Sequence, residues 1–287
     1  MIFADYNMTS VNDNPSITPF LRTFTLIEAI VLIIVGFGLF IFPELTRPEW
    51  PWAIAPFNAR FLGAIYLGAM ASVAYMFLSP RWSPSRPILR AIFTFTFIVL
   101  VISAIRFSEF DTNKTAAIFG WFVLYISLPA SAAYHMWLYR SMPTTHLNPV
   151  PRNWMYIMIS SAFVLGLYGT GLLVLPDTFS SLFPWKLDVF HSQLYSATFI
   201  TGAVMLITIS KFATPAEFIA TGLTEAIFGI FSILGLIIVD GEVPETKKID
   251  WVASNTIGWL LMLSGFVLLG ISLIRAGLRQ IPGNVPN

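Results

Sequence analysis

Two carboxyl groups stand in stretches that are otherwise apolar. Glu28 lies in Thr25-Leu26-Ile27-Glu28-Ala29-Ile30, and Glu225 in Thr221-Gly222-Leu223-Thr224-Glu225-Ala226-Ile227. An ionisable group inside a bilayer is expensive and is read first as functional. Such an acid is either neutralised by a proton or balanced by a positive charge. Arg22 and Arg90 are the basic residues that could supply that charge, and a bound cation is the other source. The functional reading is a proton- or cation-linked site. The structural reading is an acid bonded across helices, or to Arg90, that holds a bundle together.

A second set of polar residues falls at the openings of apolar runs. Asn58 and Arg60 open one run, and His191 and Gln193 open another at a corresponding place. A helix start attracts anions through its free N–H groups and its dipole, so an external anionic ligand and ordinary capping are the two readings. The three histidines, His135, His146 and His191, are scattered. His135 and His191 fall toward opposite membrane faces and cannot share one metal or haem. The absence of cysteine removes thiolate sites and Cys nucleophiles. No residue set indicates catalysis or names a metal or cofactor.

The elements that must hold these residues are helices long enough for a membrane. About 20 mostly apolar residues span a bilayer. Eight runs qualify: Phe20 to Phe42, Phe61 to Leu78, Ile88 to Ile105, Ala116 to Leu138, Trp154 to Leu175, Gln193 to Ser210, Ala216 to Val239, and Ala253 to Ile274. Barrel strands would alternate apolar and polar residues, whereas Ala29 to Phe42 is apolar all round. Composition agrees. The chain is 56% hydrophobic and 11% charged, while a soluble domain carries about 25% charged residues. The net charge of +1 gives nucleic acid no electrostatic hold.

The chain also repeats itself. Displaced by 133 residues, Gly36, Gly38, Leu39, Pro43, Pro51, Trp52 and Phe57 fall on Gly169, Gly171, Leu172, Pro176, Pro184, Trp185 and Phe190. Fixed-period self-similarity marks a duplication. Ala91-Ile92-Phe93 and Ala226-Ile227-Phe228 match at 135, as a loop insertion would produce. The expected organisation is an N-terminal segment 1–18, a first four-helix repeat 19–144, a linker 145–151, a second repeat 152–280 and a tail 281–287. An even number of spans per repeat makes the two copies parallel. The acids are not duplicated with the rest: Glu225 corresponds to Arg90, and Glu28 to Ser161.

Basic residues set orientation. With both ends on one side, that side holds nine Lys and Arg residues, among them Arg22, Arg81, Arg86 and Arg90. The opposite loops hold seven, with most of the acids. Both termini are therefore expected in the cytoplasm. Met1 to Ser16 lacks the basic start of a cleavable signal peptide. The frequent glycines of the helices, such as Gly36, Gly63 and Gly169, read as close-packing positions.

The duplicated outer loops are rich in Pro and Trp. Indole rings gather at membrane interfaces, apolar in body and polar at the N–H. Trp50, Trp52 and Trp185 are therefore expected as interface anchors. The pattern Pro51-Trp52-x-Ile54-x-Pro56-x-x-Ala59-Arg60-x-x-Gly63-Ala64, after Gly36-x-Gly38-Leu39, resembles a loosely defined set of uncharacterised bacterial multi-pass membrane proteins. That resemblance implies a bacterial origin and brings no activity; the expected location is a bacterial inner (plasma) membrane.

The expected fold is all-α, an integral membrane bundle of eight spans from two parallel tandem four-helix repeats. The expected function is non-catalytic, an accessory subunit or small-ligand-binding membrane component. The alternative is a proton- or cation-coupled transporter of a small solute through Glu28 and Glu225. The expected partners are the lipid bilayer and other membrane subunits or a second copy of the chain.

Overall fold

The computed structural model describes residues 14–142 and 147–280. Eight long helices account for most of it: α1 (Pro19–Ile41), α2 (Pro56–Leu78), α3 (Trp82–Ile105), α4 (Thr115–Leu138), α5 (Arg152–Val174), α6 (Val189–Ile209), α7 (Pro215–Glu242) and α8 (Ser254–Arg279). All eight are long and apolar enough to cross a membrane, the pattern of a multi-pass membrane protein. The fold is all-α, with one two-residue antiparallel pair between Asn148–Pro149 and Phe212–Ala213.

Local chemistry sets several helix starts. Proline at the first helical position gives up an N–H that would be unpaired anyway and pre-sets φ. It stands there in α1, α2 and α7. Thr18 caps α1 by accepting from Leu21 N at 3.1 Å. Thr214 and Glu217 form a reciprocal capping box on α7. Ser83 keeps an extended backbone, so the regular turns of α3 begin at Pro84. The starts of α2, α3 and α6 lie several residues ahead of the apolar runs read from sequence. Polar residues in those first turns, Asn58, Arg60 and His191 among them, are buried against the rest of the bundle. A run defined by hydropathy stops short of them.

Burial separates an inner from an outer set. The central windows of α2 and α6 are 67% and 72% buried, against 22 to 33% for α1, α4, α5 and α8. The packing order explains why. Along the chain, α1 lies on α2 and α5 on α6, while α4 lies on α3 and α8 on α7. Across the chain, α2 packs on α7 and α3 on α6. By contrast, α2 and α3 barely touch, and neither do α6 and α7. Each half is thus two hairpins, joined mainly through the hairpins of the other half. Outer helices present large apolar side chains outward, such as Ile34, Phe119, Phe163 and Leu261, each at least 66% exposed. A soluble monomer rarely exposes apolar patches on that scale.

Small residues allow the tightest crossing. A Cβ at Gly222 of α7 would meet Gly270 O at 2.6 Å, and one at Gly270 of α8 would meet Ala226 N at 2.5 Å. Gly38 and Gly171 serve a second purpose. They leave room for Thr46 and Phe179 in the short helical turns that fold back over the ends of α1 and α5.

Both ends of the described chain lie at one end of the bundle. Asn14 bonds Ser83, Ser83 Oγ bonds Thr214 Oγ1, and the start of α7 packs on Gly277 near the end of α8. The segment before α1 pairs with the α2–α3 connection through Ile17 N to Pro80 O at 3.1 Å. The segment before α5 pairs likewise with the α6–α7 connection through Val150 N to Lys211 O at 3.0 Å. His146, the start of the expected linker, most of the N-terminal segment and the tail lie outside the described residues.

Candidate functional site

Glu28 and Glu225 are brought to one place. Both line an internal cavity of about 110 Å³ where inner helices α2, α3, α6 and α7 meet α1, α4 and α8. Each acid arrives on a helix that enters from the terminal end of the bundle. Glu28 comes from α1 and Glu225 from α7. The rest of the wall is mainly aliphatic and aromatic, including Ile65, Phe95, Phe228 and Phe266. Among the described residues that line it, none is basic.

Glu225 is 2% exposed, and its Oε1 has no hydrogen-bond partner within the protein. The hydroxyls of Thr198 and Thr201, on the wall contributed by α6, also lack partners. Buried polar groups are nearly always hydrogen-bonded, and leaving one unpaired costs about 1–3 kcal/mol. Three such atoms converging on one cavity define a place that takes a proton, water or a polar ligand. A water needs only about 10–15 Å³ of such room, so the cavity holds several waters or one small molecule. Gly202 lies beside Glu225: a Cβ there would sit 3.4 Å from Glu225 Oε1, an ordinary van der Waals contact.

The basic candidates do not reach the acids. Arg90 Nη1 donates to Thr208 Oγ1 at 3.1 Å, and the Arg22 guanidinium lies over the Phe77 ring, 5.2 Å from its centroid. Neither lines the cavity. The buried ion pair at this end is a different one. Arg86 grips Glu217 through Nε and Nη2 at 2.7 and 2.9 Å, with Glu217 fully buried. That pair joins α3 to the start of α7.

Tyr66 and Tyr125 close part of the wall, their hydroxyls 3.0 Å apart. Sequence reasoning passed over these tyrosines, Thr198 and Thr201. A hydroxyl in an apolar helix is common, and only the fold shows which ones converge.

The end of the bundle opposite the described termini holds a reciprocal lock. Trp52 Nε1 donates to His191 Nε2 at 3.1 Å, and Trp185 Nε1 donates to Asn58 Oδ1 at 2.8 Å. Trp185 and His191 stand 133 residues after Trp52 and Asn58, so each half sends its tryptophan to the other half's helix start. Trp50, Trp52 and Trp185 are all at most 9% exposed. They pack inside the bundle, where an interface anchor would face lipid. An indole N–H can only donate. His191 Nε2 therefore accepts, and the ring proton on Nδ1 goes to Asp188 Oδ2 at 2.6 Å. Burial pushes the Asp188 carboxyl up, but hydrogen bonds from the His191 ring and backbone N–H outweigh it and hold the group below its usual range.

The other polar helix openers are also engaged. Arg60 donates to Phe40 O at 3.2 Å and grips Glu242 at 2.8 and 2.9 Å. Gln193 donates to Leu173 O at 3.1 Å and accepts from Arg106 at 3.0 Å. Asn58, through its accepting Oδ1, and His191, through both ring nitrogens, are likewise engaged by the fold. His135 is fully buried, with ring nitrogens 3.1 Å from Thr18 Oγ1 and 2.8 Å from Ser131 O. Among the described residues no group of three His, Asp or Glu side chains is placed to hold a metal.

Fold and site together describe a multi-pass helical protein with an acidic cavity at its centre. No protein-family model, curated protein or solved structure matches this chain. The likeness of the Pro-Trp loop therefore brings no activity to the cavity.

Proposed function

We propose that this chain is a non-catalytic integral membrane protein that binds a small proton- or cation-bearing ligand between two interlocked tandem repeats. The observation that carries the reading is the meeting of Glu28 and Glu225, from different halves, in one apolar cavity where Glu225 Oε1 lacks a partner. The tandem reading is supported by the matched pairings α1–α2 with α5–α6, α3–α4 with α7–α8, and α2–α7 with α3–α6. It is supported again by the reciprocal tryptophan bonds. The proposed location is a bacterial inner membrane with both termini cytoplasmic, the more basic side.

The matched halves also favour a second reading, coupled transport of a small solute. Halves related by an axis along the membrane normal can rock against one another around a central site. In that case the acids carry the coupling ion.

Native mass spectrometry of the protein extracted from its own membrane tests the binding reading. The expected spectrum is this chain alone, or copies of it, with a small-molecule adduct that is lost in Glu225→Gln. A complex with other subunits, with the same adducts in Glu28→Gln/Glu225→Gln, makes the protein an accessory subunit and the acids packing residues.

A further inference from the structure

We infer that the cavity takes an amphiphilic organic amine, and that this ligand enters from the lipid through the groove between α1 and α4. The inference rests on the binding reading above and adds to it the ligand class and the route.

The wall argues for the class. A hard inorganic cation wants six or more oxygen ligands, whereas this cavity offers scattered carboxyl and hydroxyl oxygens on a wall of aliphatic and aromatic groups. A mostly apolar pocket with a few convergent polar groups is the pattern of an organic-ligand site. The rings of Tyr66, Tyr125, Phe95 and Phe228 supply π-faces that attract an ammonium, and Glu28 and Glu225 supply the counter-charge. An apolar body then fills the remainder of the space.

The route follows from a second opening. A groove of about 280 Å³ runs between α1 and α4. Those helices touch near Thr18, Phe20 and His135. Beyond that point Phe24 to Val35 and Ala117 to Leu128 flank the groove. Glu28, Leu32, Tyr66, Tyr125 and Leu128 line groove and cavity alike. Glu28 therefore faces both spaces. Ile27 on the groove wall is 53% exposed and belongs to the outward apolar face. The groove's far end is marked by Glu49, Trp50 and Pro51 of the outer loop. An amphiphilic amine in a bilayer keeps its ammonium at headgroup depth and its body among the chains. Glu49 at the loop end, Glu28 midway and Glu225 inside give that ammonium a line of acids to follow.

The second half supplies an internal control. Its groove between α5 and α8 is lined by Ser160, Ser161 and Ser272, with no acid. Ser161 is the position that corresponds to Glu28. Gly120 on α4 and Gly265 on α8 line the two grooves, and a Cβ at either meets nothing within 4 Å. A side chain can thus start at either position without a clash at its Cβ.

The test uses the full chain in lipid nanodiscs, with empty nanodiscs as the partition control. The probes are 2-phenylethylamine and its neutral counterpart 2-phenylethanol, read by thermal shift and by stopped-flow tryptophan fluorescence. The amine is expected to stabilise the protein and the alcohol not. Glu28→Gln and Glu225→Gln are each expected to weaken amine binding about tenfold, the scale of losing one charge-assisted contact. Gly120→Trp is expected to slow association about tenfold and leave affinity within about twofold, since it blocks the path and not the site. Gly265→Trp is expected to change neither. Equal stabilisation by the alcohol, or amine affinity unchanged in both Gln variants, overturns the ligand class. Association unaffected by Gly120→Trp overturns the route. A native small-molecule adduct that needs Glu225, with no effect of the amine, overturns this inference and leaves the binding reading standing. Loss of both overturns both.

Discussion

At the scale of single residues, the polar groups sort by whether the protein satisfies them. Arg60, Gln193, Asn58 and His191 read in sequence either as an external anion site or as ordinary capping, and each is engaged by the fold. Glu225 already stands out in sequence as an acid in an apolar run, and its Oε1 stays unpaired. Sequence marks a buried acid as costly but does not say what faces it, because the groups that share its cavity come from helices as distant in the chain as that of Glu28. The tryptophans make the same point. Composition assigns Trp50, Trp52 and Trp185 to headgroups, while the burial of all three and the N–H bonds of Trp52 and Trp185 to the opposite half place them indoors. Trp52→Phe leaves His191 Nε2 without its donor, and Trp185→Phe leaves Asn58 Oδ1 without its own. Each substitution should cost about 1–3 kcal/mol. Denaturation in mixed micelles checks this, and the two losses should be similar and add, since the bonds share no partner.

At the scale of elements, the helices themselves were legible. Each of the eight apolar runs corresponds to one long helix. What hydropathy missed was the polar first turns of α2, α3 and α6, because burial by the other half replaces lipid there. The glycines were also read as close-packing positions, and the fold distinguishes among them. Gly222 and Gly270 admit backbone against backbone at the α7–α8 crossing, whereas Gly120, Gly258 and Gly265 face open space. Gly222→Ala should therefore destabilise by about 1–3 kcal/mol through overpacking. Gly120→Ala should be neutral or stabilising by about 0.5–1 kcal/mol, since alanine forms helix more readily. Thermal unfolding of the two variants side by side checks the contrast.

At the scale of the whole molecule, the sequence displacement of 133 residues leads to the proposal of two related halves but does not say how they would join. Two independent four-helix bundles would have satisfied the same repeat. Instead α2 and α3 barely touch within their half and pack on α7 and α6 of the other. Residues 1–144 and 145–287 expressed separately should each fail to give a folded species, and co-expressed they should assemble one to one. Size-exclusion chromatography in detergent reads both outcomes. The same interlocking is what carries Glu28 to Glu225. Chemical labelling tests most directly whether these two acids form one ligand-reactive site in an apolar cavity. A hydrophobic carbodiimide reacts with protonated carboxyl groups in apolar surroundings, and peptide mapping by mass spectrometry locates the adducts. Modification is expected at Glu28 and Glu225 ahead of the loop acids Glu44, Asp177 and Glu245, with either adduct blocking modification of the other acid. Modification confined to the loop acids, or independent reaction of Glu28 and Glu225 without mutual interference, would contradict it.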